Sequence, residues 1–96
     1  MNTNAKLNTK RNEILTIAAR HGANNLRIFG SVARGEANET SDVDVLIKLE
    51  PGRSLLDLIA MKQDLEDLLG CAVDLVTEDA VSPYIRDQVL KEAVSL

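Results

Sequence analysis

Asp42 and Asp44 stand two residues apart in the stretch SDVDVLI. On a strand that spacing puts both carboxylates on one face, about 6.5–7 Å apart, because a strand rises ~3.3 Å per residue. Two like charges so close repel, and one pKa rises unless something compensates. A divalent cation would compensate. Magnesium in particular is usually held by one or two carboxylates together with substrate phosphates. The same pair also suits a solvated edge strand, where charge deters aggregation. Taken alone, Asp-x-Asp favours the solvated pair.

A second chemical feature is Gly30-Ser31, at the end of the strand-like run Leu26-Arg27-Ile28-Phe29. Glycine lets backbone approach a ligand closely, and exposed N–H groups at the start of a helical turn attract phosphate. No Gly-Lys-Ser/Thr follows, so this is not a Walker loop, nor is it the Gly-x-Gly-x-x-Gly dinucleotide fingerprint. Taken alone, a strand-ending glycine is more often a plain turn. Joined, the two features gain weight: Gly-Ser, ten residues, then Asp-x-Asp arises by chance in about one chain in a thousand of this length. Asp74 adds a third carboxylate inside the apolar run AVDLVT, where an Asp is costly unless paired, hydrogen-bonded or bound to metal. If that run lies beside the 43–49 strand, Asp74 joins the cluster.

These residues resemble the signature of the polymerase-beta-type nucleotidyltransferase superfamily. The string GSVARGEANETSDVDVLI is similar to its minimal nucleotidyltransferase branch, with the similarity spanning about residues 25–77. The resemblance implies a small mixed sheet with helices. It implies two magnesium ions on Asp42 and Asp44, with Asp74 binding one metal and helping to activate the attacking hydroxyl. It also implies that Gly30 and Ser31 hold the triphosphate of ATP, with Arg34 adding a phosphate contact; a solvated loop arginine is the alternative for Arg34. In that family, short members act as antitoxins paired with HEPN-type ribonuclease toxins, small helical proteins. The resemblance therefore implies transfer of AMP to a toxin tyrosine, or neutralisation by binding alone with a silent site. A small-molecule nucleotidyltransferase is a third reading. Retention of Gly30, Ser31 and all three aspartates favours the enzyme. Ser41 is expected to cap or orient the loop, and Lys48 to be a surface lysine.

The elements that must position these residues follow from pattern. The segment from about Thr9 to His21 reads as a short amphipathic helix stopped at Gly22, with His21 set against the helix dipole. Residues 26–29 form a strand and 31–41 a connector opening with one helical turn. In 43–49, Val43, Val45, Ile47 and Leu49 point one way, and Asp42, Asp44, Leu46 and Lys48 the other. Ser54 and Asp57 make a capping-box pattern that opens a helix through Leu69, with Leu55, Leu58, Ile59, Leu65, Leu68 and Leu69 as its apolar stripe. Residues 72–77 give a third strand. Ser82 and Pro83 start a last helix to about Ala93, with Ile85, Val89, Leu90 and Ala93 facing inward. The expected fold is α/β: a small mixed sheet of at least three strands covered by helices, the nucleotidyltransferase fold.

Ninety-six residues are expected to form one domain, 1–96, with about 1–8 frayed, and to leave no room for a second, acceptor-gripping domain. A partner must then supply the acceptor, and homo- or hetero-oligomers are both compatible. A net charge of −4 argues against a general nucleic-acid binder, which neutralises phosphates with Lys and Arg. The core must be aliphatic, because Phe29 and Tyr84 are the only aromatic residues. Cys71, the single cysteine, can form neither an internal disulfide nor a zinc site and is expected to be a buried thiol. No run approaches a membrane span and the N-terminus lacks the apolar stretch of a signal peptide, so a cytoplasmic protein is expected.

Overall fold

The computed structural model describes residues 7–36 and 42–96. Ser41 and the end of the expected connector, 37–41, lie outside the described residues. The elements run α1 (Arg11–Arg20), β1 (Ala23–Phe29), α2 (Gly30–Ala33), β2 (Val43–Leu49), α3 (Leu55–Leu69), β3 (Val73–Thr77), a 3-10 turn (Glu78–Ala80), α4 (Pro83–Glu92) and β4 (Val94–Ser95). The sheet order is β3-β2-β1-β4. β1 is antiparallel to both β2 and β4, while β2 and β3 are parallel, so the sheet is mixed as expected.

Local chemistry fixes the ends of these elements. Ser54 Oγ accepts from the Leu56 N–H at 3.2 Å, and Asp57 Oδ2 accepts from the Ser54 N–H at 3.0 Å, which completes the capping box. Gly70 closes α3 in the left-handed conformation, φ 70°. Ser82 caps α4 by accepting from the Tyr84 N–H at 3.3 Å, with Pro83 in the first turn. β1 begins three residues before the expected Leu26. A bulge between Asn24 and Arg27, with Asn25 at φ 53°, carries the strand through two asparagines that ordinarily disfavour strands.

One sheet face carries the main core. Val43, Val45 and Ile47 of β2, Leu26 and Ile28 of β1, and Val73 of β3 pack with Ile14 and Ala18 of α1 and Met61, Leu65 and Leu69 of α3. Leu7, inside the stretch expected to fray, is buried in the same cluster. The stripe expected on α3 shifts: Met61 joins it, whereas Leu55 and Ile59 are exposed. Leu55 sits in the first turn and Ile59 one turn on, off the line of Met61, Leu65 and Leu69 at i, i+4 and i+8 that meets the sheet.

On the opposite face, α4 and the turn before it lie over Leu46. Leu46 is 1% exposed there, and it shares a small crevice with Val81, Val89 and Leu90. Of the residues expected to face inward on α4, only Val89 is buried; Ile85 and Leu90 are exposed and Ala93 is half-buried. Cys71 is half-buried against the core and not fully enclosed. Among the described residues no helix is long and apolar enough to cross a membrane.

Candidate active site

The face under α4 is also the carboxylate face. β1 is antiparallel to β2, so the C-terminal end of β1 and the turn after it lie beside the start of β2. Phe29 pairs with Asp44 across that boundary. On the other side the parallel register pairs Asp44 with Asp74. One row thus runs Phe29, Asp44, Asp74 across three strands, with Asp42 two residues upstream on the same side of β2 as Asp44. The sequence could propose that β3 lies beside β2, and the register now brings the two aspartates together. Asp42 and Asp74 are exposed and Asp44 is half-buried. Exposure corrects one premise: Asp74 is no buried charge inside an apolar strand, because β3 is an edge strand and its Asp74 face is open.

Gly30 is set directly against this row. Its φ is 73°, and a Cβ at this position would overlap Asp44 Oδ2. Only glycine lets the backbone leave β1 in that conformation and still admit the carboxylate. Ser31 follows, half-buried, in the single turn of α2, whose first N–H groups have no partner within the helix. Its carbonyl accepts from the Glu36 N–H at 2.9 Å and so folds the chain back after the turn.

Asp44 is the electrostatic centre. Its pKa is raised above the ordinary carboxylate value, first by desolvation, then by repulsion from Asp74 and from Asp42, with Arg34 acting in opposition. Arg34 is close enough to be felt, yet its guanidinium is engaged elsewhere. Nε donates to Glu36 Oε2 at 3.0 Å and Nη1 to Glu92 Oε2 at 3.2 Å, at the end of α4. Its pKa is raised chiefly by the Glu36 hydrogen bond. Gly30, Ser31, Asp42, Asp44 and Asp74 therefore share one locality, and Arg34 borders it under the hold of two glutamates.

Among the described residues no three His, Cys, Asp or Glu side chains already converge on a common metal position. The donor set is nonetheless of the right chemistry: hard carboxylate oxygens that repel one another around a half-buried Asp44, a load that a divalent cation relieves. His21 takes no part. It caps the end of α1 and Nε2 bonds Asp64 Oδ2 of α3 at 2.8 Å. Lys48 is exposed. Sequence reasoning missed Glu92 as a partner of Arg34, and also Arg27 of β1, which pairs with Glu78 across the same face. Glu92 had no signal in sequence. Arg27 had one, a charged residue inside the otherwise apolar run 26–29.

Comparisons with known proteins match this fold. A family model described as a nucleotidyltransferase domain matches residues 11–96. A Methanocaldococcus jannaschii protein with a provisional protein adenylyltransferase name is 42% identical over 90 residues, covering 94% of this chain and 97% of its own. The protein adenylyltransferase MntA of Thermococcus cleftensis is 45% identical over 75 residues, 78% of this chain and 76% of its own. A solved structure, provisionally described as a minimal nucleotidyltransferase, superposes with a TM-score of 0.88 at 50% identity, covering all of this chain and 97% of the other. A toxin–antitoxin complex with AMP-PNP shares the fold, with a TM-score of 0.75 at 22% identity over 88% of this chain and 69% of the other.

Proposed function

The chain belongs to the nucleotidyltransferase domain family, and from that premise we propose that it moves AMP from ATP to a tyrosine of a HEPN-type toxin and acts as that toxin's antitoxin. The observation that carries the reading is the row joining Asp44 to Asp74, with the Gly30 backbone seated on Asp44. The names of its relatives, protein adenylyltransferases, supply the kind of transfer.

Each residue takes a role that its position permits. Asp42 and Asp44 would hold magnesium, with Asp74 completing the set. Two such ions supply Lewis acidity and neutralise charge on the phosphates. Gly30 and Ser31 present backbone to the triphosphate where no side chain intrudes. The acceptor oxygen forms its new bond to the α-phosphorus as the bond to the bridging oxygen breaks, and pyrophosphate leaves with that electron pair. Asp74, the exposed member of the row beside Asp44, takes the acceptor's proton. Arg34 turns from its glutamates to the phosphates. The enzyme's contribution is chiefly position and electrostatic complementarity. This work belongs in the cytoplasm, where ATP and a ribonuclease toxin meet.

The test is to incubate the protein with ATP, Mg²⁺ and the helical product of its neighbouring reading frame, then separate the two. Transfer predicts that the partner gains adenylyl mass at substoichiometric enzyme and stays inactive after separation. A partner of unchanged mass that regains full ribonuclease activity on separation would leave inhibition by occlusion as the mechanism.

A further inference from the structure

β3 is an edge strand, and edge strands present unpaired N–H and C=O groups. At Val73, immediately before Asp74, both groups are taken by side chains of α3. Glu66 Oε2 accepts from the Val73 N–H at 3.0 Å, and Lys62 Nζ donates to the Val73 carbonyl at 2.7 Å. Lys62 Nζ also donates to Glu66 Oε2 at 3.0 Å, which closes a three-bond ring. On the inner side the Ala72 carbonyl accepts from the Val43 N–H at 3.0 Å, and Asp74 continues the ladder opposite Asp44. The backbone leading into Asp74 is therefore fixed from both flanks.

The pair is poorly suited to stabilising α3 itself. A lysine four residues before a glutamate is the weaker order for a helical ion pair, against the helix dipole. Its geometry is instead fitted to a single residue of β3, Val73. In line with this, Glu66 has its pKa lowered first by the Val73 N–H and only then by Lys62.

We propose that Lys62 and Glu66 are positioning residues, whose clamp on the N–H and C=O of Val73 sets where the Asp74 carboxylate stands relative to Asp44. The proposal rests on Asp74 belonging to the metal–nucleotide site. Groups that orient metal-binding carboxylates from outside typically contribute 10–100-fold in metal affinity or activity. The clamp acts on a backbone next to the carboxylate and not on the carboxylate itself, so the low end of that range applies.

The experiment compares wild type, Glu66→Ala, Glu66→Gln, Lys62→Met and Asp74→Asn in two readouts. Amide exchange at Val73 is followed in the metal-free protein, and Mn²⁺ affinity is measured by electron paramagnetic resonance with saturating AMP-PNP. Glu66→Ala should accelerate exchange at Val73 and weaken Mn²⁺ binding about tenfold. Glu66→Gln keeps an oxygen for the Val73 N–H and should restore most of the affinity. Lys62→Met, which removes the carbonyl's donor, should fall between. Should Glu66→Ala fail to fold, Glu66→Gln and Lys62→Met decide: the proposal needs Mn²⁺ weakened in Lys62→Met and largely kept in Glu66→Gln. The proposal is overturned if Asp74→Asn loses Mn²⁺ affinity while the folded clamp variants match wild type, or if Val73 exchange does not respond. Undiminished Mn²⁺ binding by Asp74→Asn would instead remove Asp74 from the site, and the inference with it.

Discussion

Replacing Asp44 by asparagine should make the protein more stable while abolishing metal-dependent transfer. Asp44 and Asp74 are register partners on adjacent parallel strands, whose spacing is about 4.8 Å. At a carboxylate separation of about 5 Å and a dielectric near that of water, because Asp74 is exposed, their repulsion is about 0.8 kcal/mol. Relief of the partial desolvation of Asp44 adds to this and salt screening subtracts, so the net gain is about 1 kcal/mol. For a domain of this size that raises Tm by about 4–8 °C. The pH dependence has a definite sign. A carboxyl whose folded pKa is raised is penalised above that pKa, and the penalty is relieved as pH falls through it. The advantage of Asp44→Asn should therefore be present at neutral pH, shrink on acidification through the raised carboxyl range, and also shrink in high salt. Thermal melts from neutral to acid pH, at low and high ionic strength, measure all three trends. A lowered Tm at neutral pH would show that the Asp44 charge stabilises the fold, and the account of the anionic row would be wrong.

Mg²⁺ with ATP should stabilise the fold more than either alone. At a hundredfold excess over its dissociation constant the complex adds about 2.7 kcal/mol, and an unchanged melt at millimolar Mg²⁺–ATP contradicts the site. Gly30→Ala should cost at least about 1–2 kcal/mol from the left-handed φ. It should also lose transfer beyond its share of unfolded protein, because the new Cβ displaces the Asp44 carboxylate; full specific activity of the folded fraction would refute that. Glu92→Gln should loosen Arg34 from α4 and tighten AMP-PNP binding by about two- to five-fold in calorimetry, with little change in Tm. Weaker binding would mean that Glu92 presents Arg34 to the site and does not hold it back.

Much of the site could be read along the chain, because its chemistry is local. The alternation through Asp42 and Asp44 sets one strand face, and Gly30 marks the close approach before it. What sequence could not give is what other strands and helices bring. The pairing of Asp74 with Asp44 depends on the parallel register. The reason first advanced for Asp74, the cost of a buried charge, does not apply on an open edge strand. Leu46 carried a visible signal: an apolar residue on the charged face of β2 announced that something covers that face. Leu46 meets Val81, Val89 and the partly exposed Leu90 in a small crevice, while Ile85 is exposed. Met61 was passed over because leucines crowd α3, and only tertiary packing selects which line of them meets the sheet. The asparagines before Leu26 concealed the start of β1, where a bulge overrides their poor strand propensity.

The fate of the two ends of ATP tests the central claim most directly. With the partner toxin, Mg²⁺ and ATP labelled at either the α- or the γ-phosphorus, label from the α position should become bound covalently to a tyrosine of the partner, while label from the γ position should be released in pyrophosphate. Asp42→Asn should abolish both events and still bind the partner, because Asp42 is assigned to metal. Partner labelled from the γ position, or left unlabelled while its ribonuclease is inhibited, would contradict nucleotidyl transfer as the activity of this fold.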